Sequence, residues 1–374
     1  MKYRKFGNTG YEISALSFGC MRYPIKPGTK EIDQDTTIAM IRRAIDGGVN
    51  YFDTAYGYLG GQSEIVLGKA LQGGYREKVK IATKLPIWNV NEEADFDRLL
   101  NEQLGKLQVD HIDVYLLHGF GSGSFDKAKN LKILDKMEKA MADGRVRHCG
   151  FSSHDDCENF IKTVDLYDNW SMTQIQINYM DRNNQAGERG LKYAADKGLA
   201  VVAMEPCLGG KLANLTASAA VAFEGADRQR AHVQWAFDWL WNYPEVTSVL
   251  SGMSAMQHVE DNLVYAEQSA ANSMSAGDLG RVRTAEDLIN SLVSIPCTDC
   301  KYCIPCPQGV NIPRCFNAYN EGGKYGKDAA HGAYGWVKQE ERADRCTACA
   351  ACEEKCPQKI AISAEMPKLA EYFK

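Results

Sequence analysis

The chain has 374 residues, a formal net charge of −5 and 45% hydrophobic residues, enough to bury a large core. Its mild acidic balance comes without long blocks of like charge, which excludes a basic stripe for nucleic acid and a polybasic patch for a membrane surface. No apolar run approaches transmembrane length, and the opening "MKYRKFGNTGYEISALSFGC" lacks the apolar core of a signal peptide.

That opening alternates polar and apolar residues around the turn-prone "GNTG", which predicts a hairpin. From Ser14 onward, short β-branched and aromatic runs alternate with helical patterns. The predicted strands are Ala15 to Phe18, Tyr51 to Asp53, Lys80 to Thr83, Asp113 to Leu117, Arg147 to Phe151, Thr173 to Ile177, Ala200 to Met204 and Thr247 to Leu250. Helical segments such as "TTIAMIRRAIDGG", "DFDRLLNEQLGKL" and "LKILDKMEKAMADG" lie between them, the first and last closing in glycine. Eight such rounds in about 270 residues fit a closed (β/α)₈ TIM barrel. A doubly wound open sheet is the competing fold, but no G-x-G-x-x-G follows the first strand. The expected division is a barrel over residues 1–285 and a small, mainly helical domain over 286–374.

The loops after barrel strands build active sites, so polar residues at strand ends are the first functional candidates. "NYFDTAYGY", "IATK" and "VYLLHG" supply Asp53, Tyr58, Lys84 and His118. A tyrosine that must give up a proton needs help, since its unperturbed pKa is about 10 and a neighbouring ammonium lowers it. Lys84 can supply that charge, Asp53 can hold Lys84, and His118 can orient a carbonyl oxygen. Each residue alone also reads as a satisfied core position; four gathered at the ends of three successive strands favour catalysis.

"FDTAYGYLGGQSE", "IATKL", "DVYLLHG" and "VRHCGFSSH" resemble the signature segments of the aldo/keto reductase family over about residues 1 to 270. The resemblance implies a barrel that moves hydride between a nicotinamide cofactor and a carbonyl, with Asp53, Tyr58, Lys84 and His118 as its catalytic tetrad. Tyr56, which precedes Gly57, is the alternative tyrosine. The likeness also implies that Ser152, Ser153 and Gln176 hold the nicotinamide carboxamide, with serine where relatives commonly have asparagine. Met204 takes the place of a stacking aromatic ring; a core methionine is its other reading. In "SGMSAMQHVEDNL", Gly252, Ser254, Asp261 and Asn262 are implied contacts to the adenosine end. That loop holds no Lys or Arg to grip a 2′-phosphate, only Gln257 and His258, so NADP(H) and NAD(H) both stay open, with the family favouring NADP(H).

The chain also holds thirteen cysteines, eight of them in two tight runs, a pattern unsuited to a secreted disulfide framework and pointing to a reducing, cytoplasmic setting. Cys346, Cys349, Cys352 and Cys356-Pro357 read C-x₂-C-x₂-C-x₃-C-P, a ferredoxin iron-sulfur run. Cys297, Cys300, Cys303 and Cys306-Pro307 form its companion, shorter by one residue before the last cysteine. In such pairs the fourth cysteine ligates the other cluster, so two [4Fe-4S] clusters are expected: Cys297, Cys300, Cys303 and Cys356 on one, Cys346, Cys349, Cys352 and Cys306 on the other. Zinc is the competing metal, since C-x₂-C pairs also build zinc ribbons. Cys315 is a spare ligand or a buried thiol. The fusion resembles a subgroup of prokaryotic aldo/keto reductases with a C-terminal 4Fe-4S ferredoxin-type domain.

The expected function is an NAD(P)H-dependent oxidoreductase acting on a small-molecule carbonyl or alcohol, its clusters exchanging electrons with a ferredoxin-like partner. Structural or sensory clusters are a second reading, and an electron-transfer or regulatory protein whose barrel binds nucleotide without turnover is a third.

Overall fold

The computed structural model describes residues 1–374. The chain opens with an antiparallel hairpin, β1 (Tyr3–Lys5) and β2 (Glu12–Ser14). A closed parallel barrel follows in the order β3 (Leu16–Gly19), β4 (Tyr51–Asp53), β5 (Lys80–Leu85), β6 (Ile112–Leu117), β7 (Val146–Ser153), β8 (Met172–Gln176), β9 (Ala200–Met204) and β10 (Val246–Ser251), with β10 pairing back to β3. All eight predicted strands are present, and the open-sheet alternative falls with the closure.

Barrel strands are covered on both faces, which is why they read as apolar runs without alternation; all six residues of β6 are buried. The hairpin contributes Phe6 and Ile13 to a cluster with Tyr51, Val114, Leu116 and Val202, filling the barrel interior with side chains.

The strands return through α1 (Gln34–Asp46), α2 (Gln62–Ala70), α3 (Ala94–Leu107), α4 (Phe125–Asn130), α5 (Ile133–Ala142), α6 (Cys157–Asp165) and α7 (Gly187–Asp196). Their ends follow local chemistry. The Asp33 side chain caps α1 by accepting from Thr36 N at 3.2 Å, and Gly47 follows its last residue. Parallel register then carries the strand ends to one rim: Gly19 lies opposite Asp53, Lys84 opposite Leu116, Ser152 opposite Gln174 and Gln176 opposite Met204.

After β9 the chain departs from simple alternation. Residues 1–209 and 234–274 form one compact unit, while 210–233 and 275–374 form another. The second unit therefore takes in the short helix α8 (Ala217–Ala220) before the chain returns through α9 (His232–Trp241) and, beyond β10, α10 (Met256–Glu267). Its larger part consists of α11 (Ala276–Ser291), α12 (Ile312–Tyr325), α13 (Lys327–Tyr334) and α14 (Ile362–Tyr372). Ile295, Phe316, Val337, Ile360, Met366 and Leu369 are buried together there, and Tyr334 stacks on Phe373 with ring centroids 3.8 Å apart. No strand lies in this part, in keeping with the helical expectation. No helix of the chain is long and apolar enough to cross a membrane.

Candidate active site and cysteine cavities

Asp53 ends β4, Lys84 lies in β5 one residue from its end, and His118 follows β6 directly. Tyr58 stands on the turn between β4 and α2, whose residues Leu59, Gly60 and Gly61 all have positive φ; the two glycines hold that conformation without strain. The Lys84 ammonium donates to Asp53 Oδ1 at 2.6 Å, to the Thr54 carbonyl at 2.8 Å and to the Tyr58 hydroxyl at 3.2 Å. It is 1% exposed, and a charge so deeply buried persists only when its donors are satisfied, as these three acceptors do. Burial works to lower its pKa, but Asp53 and Tyr58 outweigh that and hold it above the ordinary lysine value.

The Tyr58 hydroxyl shows where the expected electrostatics need correction. Burial raises its pKa, and the Lys84 charge pulls it down without cancelling that effect, so the value lies above the ordinary one. The phenol keeps its proton at neutral pH. His118 meets the Tyr58 ring edge-on at 5.9 Å, and its Nδ1 is buried with no protein partner. Burial, with the Lys84 and His154 charges, pushes its pKa down to about 3, so the imidazole is neutral. Tyr56 points elsewhere: its hydroxyl meets Glu102 at 3.1 Å and its ring lies under the Lys106 ammonium.

Three residues at the site escaped the sequence reading. Gln174 donates to Asp53 Oδ2 at 2.5 Å, holding the carboxylate from the side opposite Lys84. It stands two residues before Gln176 on the same strand, and the period of two could have found it. Trp88, 55% exposed, packs its ring 4.9 Å from His118 and walls the site. Arg22, three residues after β3, runs beside Gly252, where an added Cβ would lie 3.3 Å from Arg22 Cδ. Those contacts are made by its aliphatic stem; its guanidinium lies by Gly209, where an added Cβ would be 3.6 Å from Arg22 Nη2.

The other implied cofactor residues are distributed around the same rim. Ser152 and Ser153 end β7, both 2% exposed, and Ser152 Oγ accepts from Gly119 N at 2.9 Å. Gln176 is tied to Asp181 and Gln185, each at 3.0 Å. Met204 ends β9 half-buried. Beyond β10, Asn262 donates to Ser251 Oγ at 3.1 Å, Ser254 N lies 3.4 Å from His258 Nδ1, and Asp261 is taken up by Gln257 on α10.

The cysteine runs open onto two cavities. Cys297, Cys300, Cys303 and Cys356 line one; Cys306, Cys346, Cys349 and Cys352 line the other. Each cavity thus gathers three thiols from one run and the fourth from the other, matching the crossed spacing reading. The runs share a backbone pattern, with positive φ at Asp299 and Lys301 in one and at Ala348 and Ala350 in the other. The shortened gap before Cys306 does not keep it from its cavity. Four thiols spaced around a cavity suit a polyatomic cluster better than a single tetrahedral zinc. Cys315 lines neither cavity; it is buried, with its Sγ 3.7 Å from the Glu341 carbonyl.

Residues 15–278 match the model of the aldo/keto reductase family, and residues 296–361 match that of a 4Fe-4S dicluster domain. L-galactose dehydrogenase of Arabidopsis thaliana is 25% identical over 309 residues, spanning 77% of this chain and 95% of that protein. Methylglyoxal reductase YeaE of Escherichia coli (strain K12) is 28% identical over 251 residues, spanning 64% and 82%. Among solved structures, the holo form of aldo-keto reductase AKR11C1 from Bacillus halodurans shares the fold at a TM-score of 0.64 and 24% identity, covering 76% of this chain and 96% of its own. An aldo-keto reductase from Klebsiella pneumoniae in complex with NADPH does so at 0.61 and 23%, covering 75% and 93%.

Proposed function

The chain belongs to the aldo/keto reductase family of NAD(P)-dependent oxidoreductases, and we propose that it reduces a small carbonyl, or oxidises its alcohol, through Asp53, Tyr58, Lys84 and His118. The observation that carries this reading is the buried ammonium of Lys84 held between Asp53 and the Tyr58 hydroxyl. The nicotinamide cofactor supplies the hydride. Tyr58 gives its proton to the carbonyl oxygen as charge develops there, which requires the phenol to be protonated at the outset, as burial keeps it. Lys84 then stabilises the phenolate left behind, with Asp53 and Gln174 fixing its position. His118, neutral, contributes a hydrogen bond to the same oxygen without competing as an acid.

Ser152, Ser153 and Gln176 would hold the carboxamide, Met204 would cover a ring face, and Gly252, Ser254, Asp261 and Asn262 would meet the adenosine end. Arg22, whose stem passes Gly252 and whose guanidinium lies by Gly209, offers a charge for a phosphate, which favours NADP(H) over NAD(H). The Klebsiella relative solved with NADPH agrees with that preference. Cys297, Cys300, Cys303 and Cys356 would hold one [4Fe-4S] cluster and Cys306, Cys346, Cys349 and Cys352 a second, as the thiol sets of the two cavities support. Such clusters supply one-electron chemistry, and a ferredoxin-like protein is the partner it suits.

The test is a panel of small aldehydes, methylglyoxal and sugar lactone and alcohol pairs, assayed with NADPH and NADH on anaerobically purified protein. Tyr58→Phe is expected to lower turnover by roughly 10²- to 10⁴-fold with cofactor affinity little changed, and Tyr56→Phe to stay near wild type. A dead Tyr56→Phe beside an active Tyr58→Phe would overturn the assignment.

A further inference from the structure

Helix α12 joins the cysteine cavities to a segment that, in chain order, belongs to the barrel. At its N-terminal end Ile312 lines both cavities, and Pro313 and Phe316 line the first. Further along, buried Asn320 grips Ile295, two residues before Cys297: its Oδ1 accepts from Ile295 N at 3.0 Å and its Nδ2 donates to Ile295 O at 2.8 Å. The next residue, Glu321, forms an ion pair with Lys211, its side chain 13% exposed and that of Lys211 33%. The same ammonium lies 5.3 Å from the Tyr325 ring. Nine residues of helix, about 13.5 Å at 1.5 Å per residue, therefore separate the cavity-lining Ile312 from the residue that holds Lys211.

Lys211 stands seven residues after Met204, at the start of the 210–233 segment that packs with the C-terminal part of the chain. The far end of that segment is strapped as well. Arg230 binds Asp278 through two contacts of 3.0 and 3.1 Å, and Arg281 donates to the carbonyls of Ala222, Glu224 and Gly225. In barrels the loops after the strands shape ligand specificity, and this one is anchored to α11 and α12 at both ends.

We propose that filling of the cysteine cavities fixes α12, and that α12, through Glu321 and Lys211, fixes the loop after the seventh barrel strand and with it the affinity for the nicotinamide cofactor. This rests on the reading that the cavities hold iron-sulfur clusters. Clusters bind the folded cysteine scaffold and not the unfolded one, so their loss loosens the N-terminal half of α12. Linkage makes the coupling reciprocal: cofactor binding protects the clusters to the same extent that clusters favour cofactor binding.

The experiment is hydrogen exchange read by mass spectrometry on the full chain, with iron measured on the same samples. It compares the loaded protein, the protein stripped anaerobically with ferricyanide and EDTA, and loaded Lys211→Met. Stripping and Lys211→Met are each expected to speed exchange in peptides covering 206–216 by roughly tenfold, with peptides over β6 unchanged. Stripping the Lys211→Met protein should add less than about twofold more, because the two changes cut one connection. The dissociation constant for NADPH, read by protein fluorescence, should weaken several-fold in parallel. Should stripping unfold the C-terminal part outright, Lys211→Met still decides: full iron with unchanged exchange at 206–216 refutes the relay. Unchanged exchange in stripped wild type refutes it too. Loaded wild type without iron would instead overturn the cluster reading on which the relay stands.

Discussion

Replacing Lys84 with methionine keeps most of the side-chain volume and removes one charge. At 3.2 Å from the Tyr58 oxygen and an effective dielectric constant of 20, Coulomb's law gives the ammonium about 5 kcal/mol of stabilisation for the phenolate. At 1.36 kcal/mol per factor of ten this sets a ceiling of roughly 10³- to 10⁴-fold on the loss of turnover. The pH profile carries the sharper test. Alcohol oxidation needs the phenolate, so its rate climbs as pH rises through the Tyr58 pKa; without Lys84 that pKa rises further, and the limb must move to higher pH. The substitution also strands Asp53 in the interior with Gln174 as its remaining side-chain donor, at a cost of about 3–5 kcal/mol, on the order of 10 °C in midpoint temperature. Rates should therefore be measured well below that midpoint, with circular dichroism on the same samples. A loss of less than tenfold, or an oxidation limb that stays at the wild-type pH, would refute the charge role.

His118→Gln should leave the acid side of the activity profile without a new limb near pH 6.5, because burial already keeps His118 neutral down to about pH 3. The same burial destabilises the fold in acid: the unfolded chain takes up the proton first, so stability is complete above pH 6.5 and lost as pH falls towards 3. Urea titrations across that window should show a shallower loss in His118→Gln; an identical slope would contradict the burial argument. Anaerobic protein should carry about eight iron and eight sulfide per chain, and Cys306→Ser combined with Cys349→Ser should retain about four iron, since both residues line one cavity. Near-zero iron in that double variant would mean that each run binds its own cluster.

The barrel was legible because eight strand-helix rounds suit a closed barrel at this length and the open sheet's G-x-G-x-x-G is absent after the first strand, and because strand-end position alone picks out Asp53, Lys84 and His118. The crossed thiol sets were legible from spacing, since Cys-Pro at the end of each run sends the fourth ligand away. Gln174 was missed because glutamine in a buried strand carries no charge signal; its meaning comes from register with Ser152 across β7 and β8. Arg22 and Trp88 were missed because they lie between the strands and the main helices, where the chain's course depends on tertiary packing. The sign of the Tyr58 shift was hidden for a related reason: sequence names the neighbouring charge but not the depth of burial that opposes it.

The route of residues 210–233 limits where such a chain can be cut. A domain appended to an enzyme ordinarily crosses to it once and can be removed by a stop codon. Here the backbone passes between the two units three times, at 209–210, 233–234 and 274–275. A truncation after Met274 would leave Lys211, Arg230 and the carbonyls of Ala222, Glu224 and Gly225 without Glu321, Asp278 and Arg281. The stump would keep every barrel strand and still display a loop shaped for something no longer present. Removing the cysteine-bearing extension therefore also removes the side chains that hold a loop between two barrel strands.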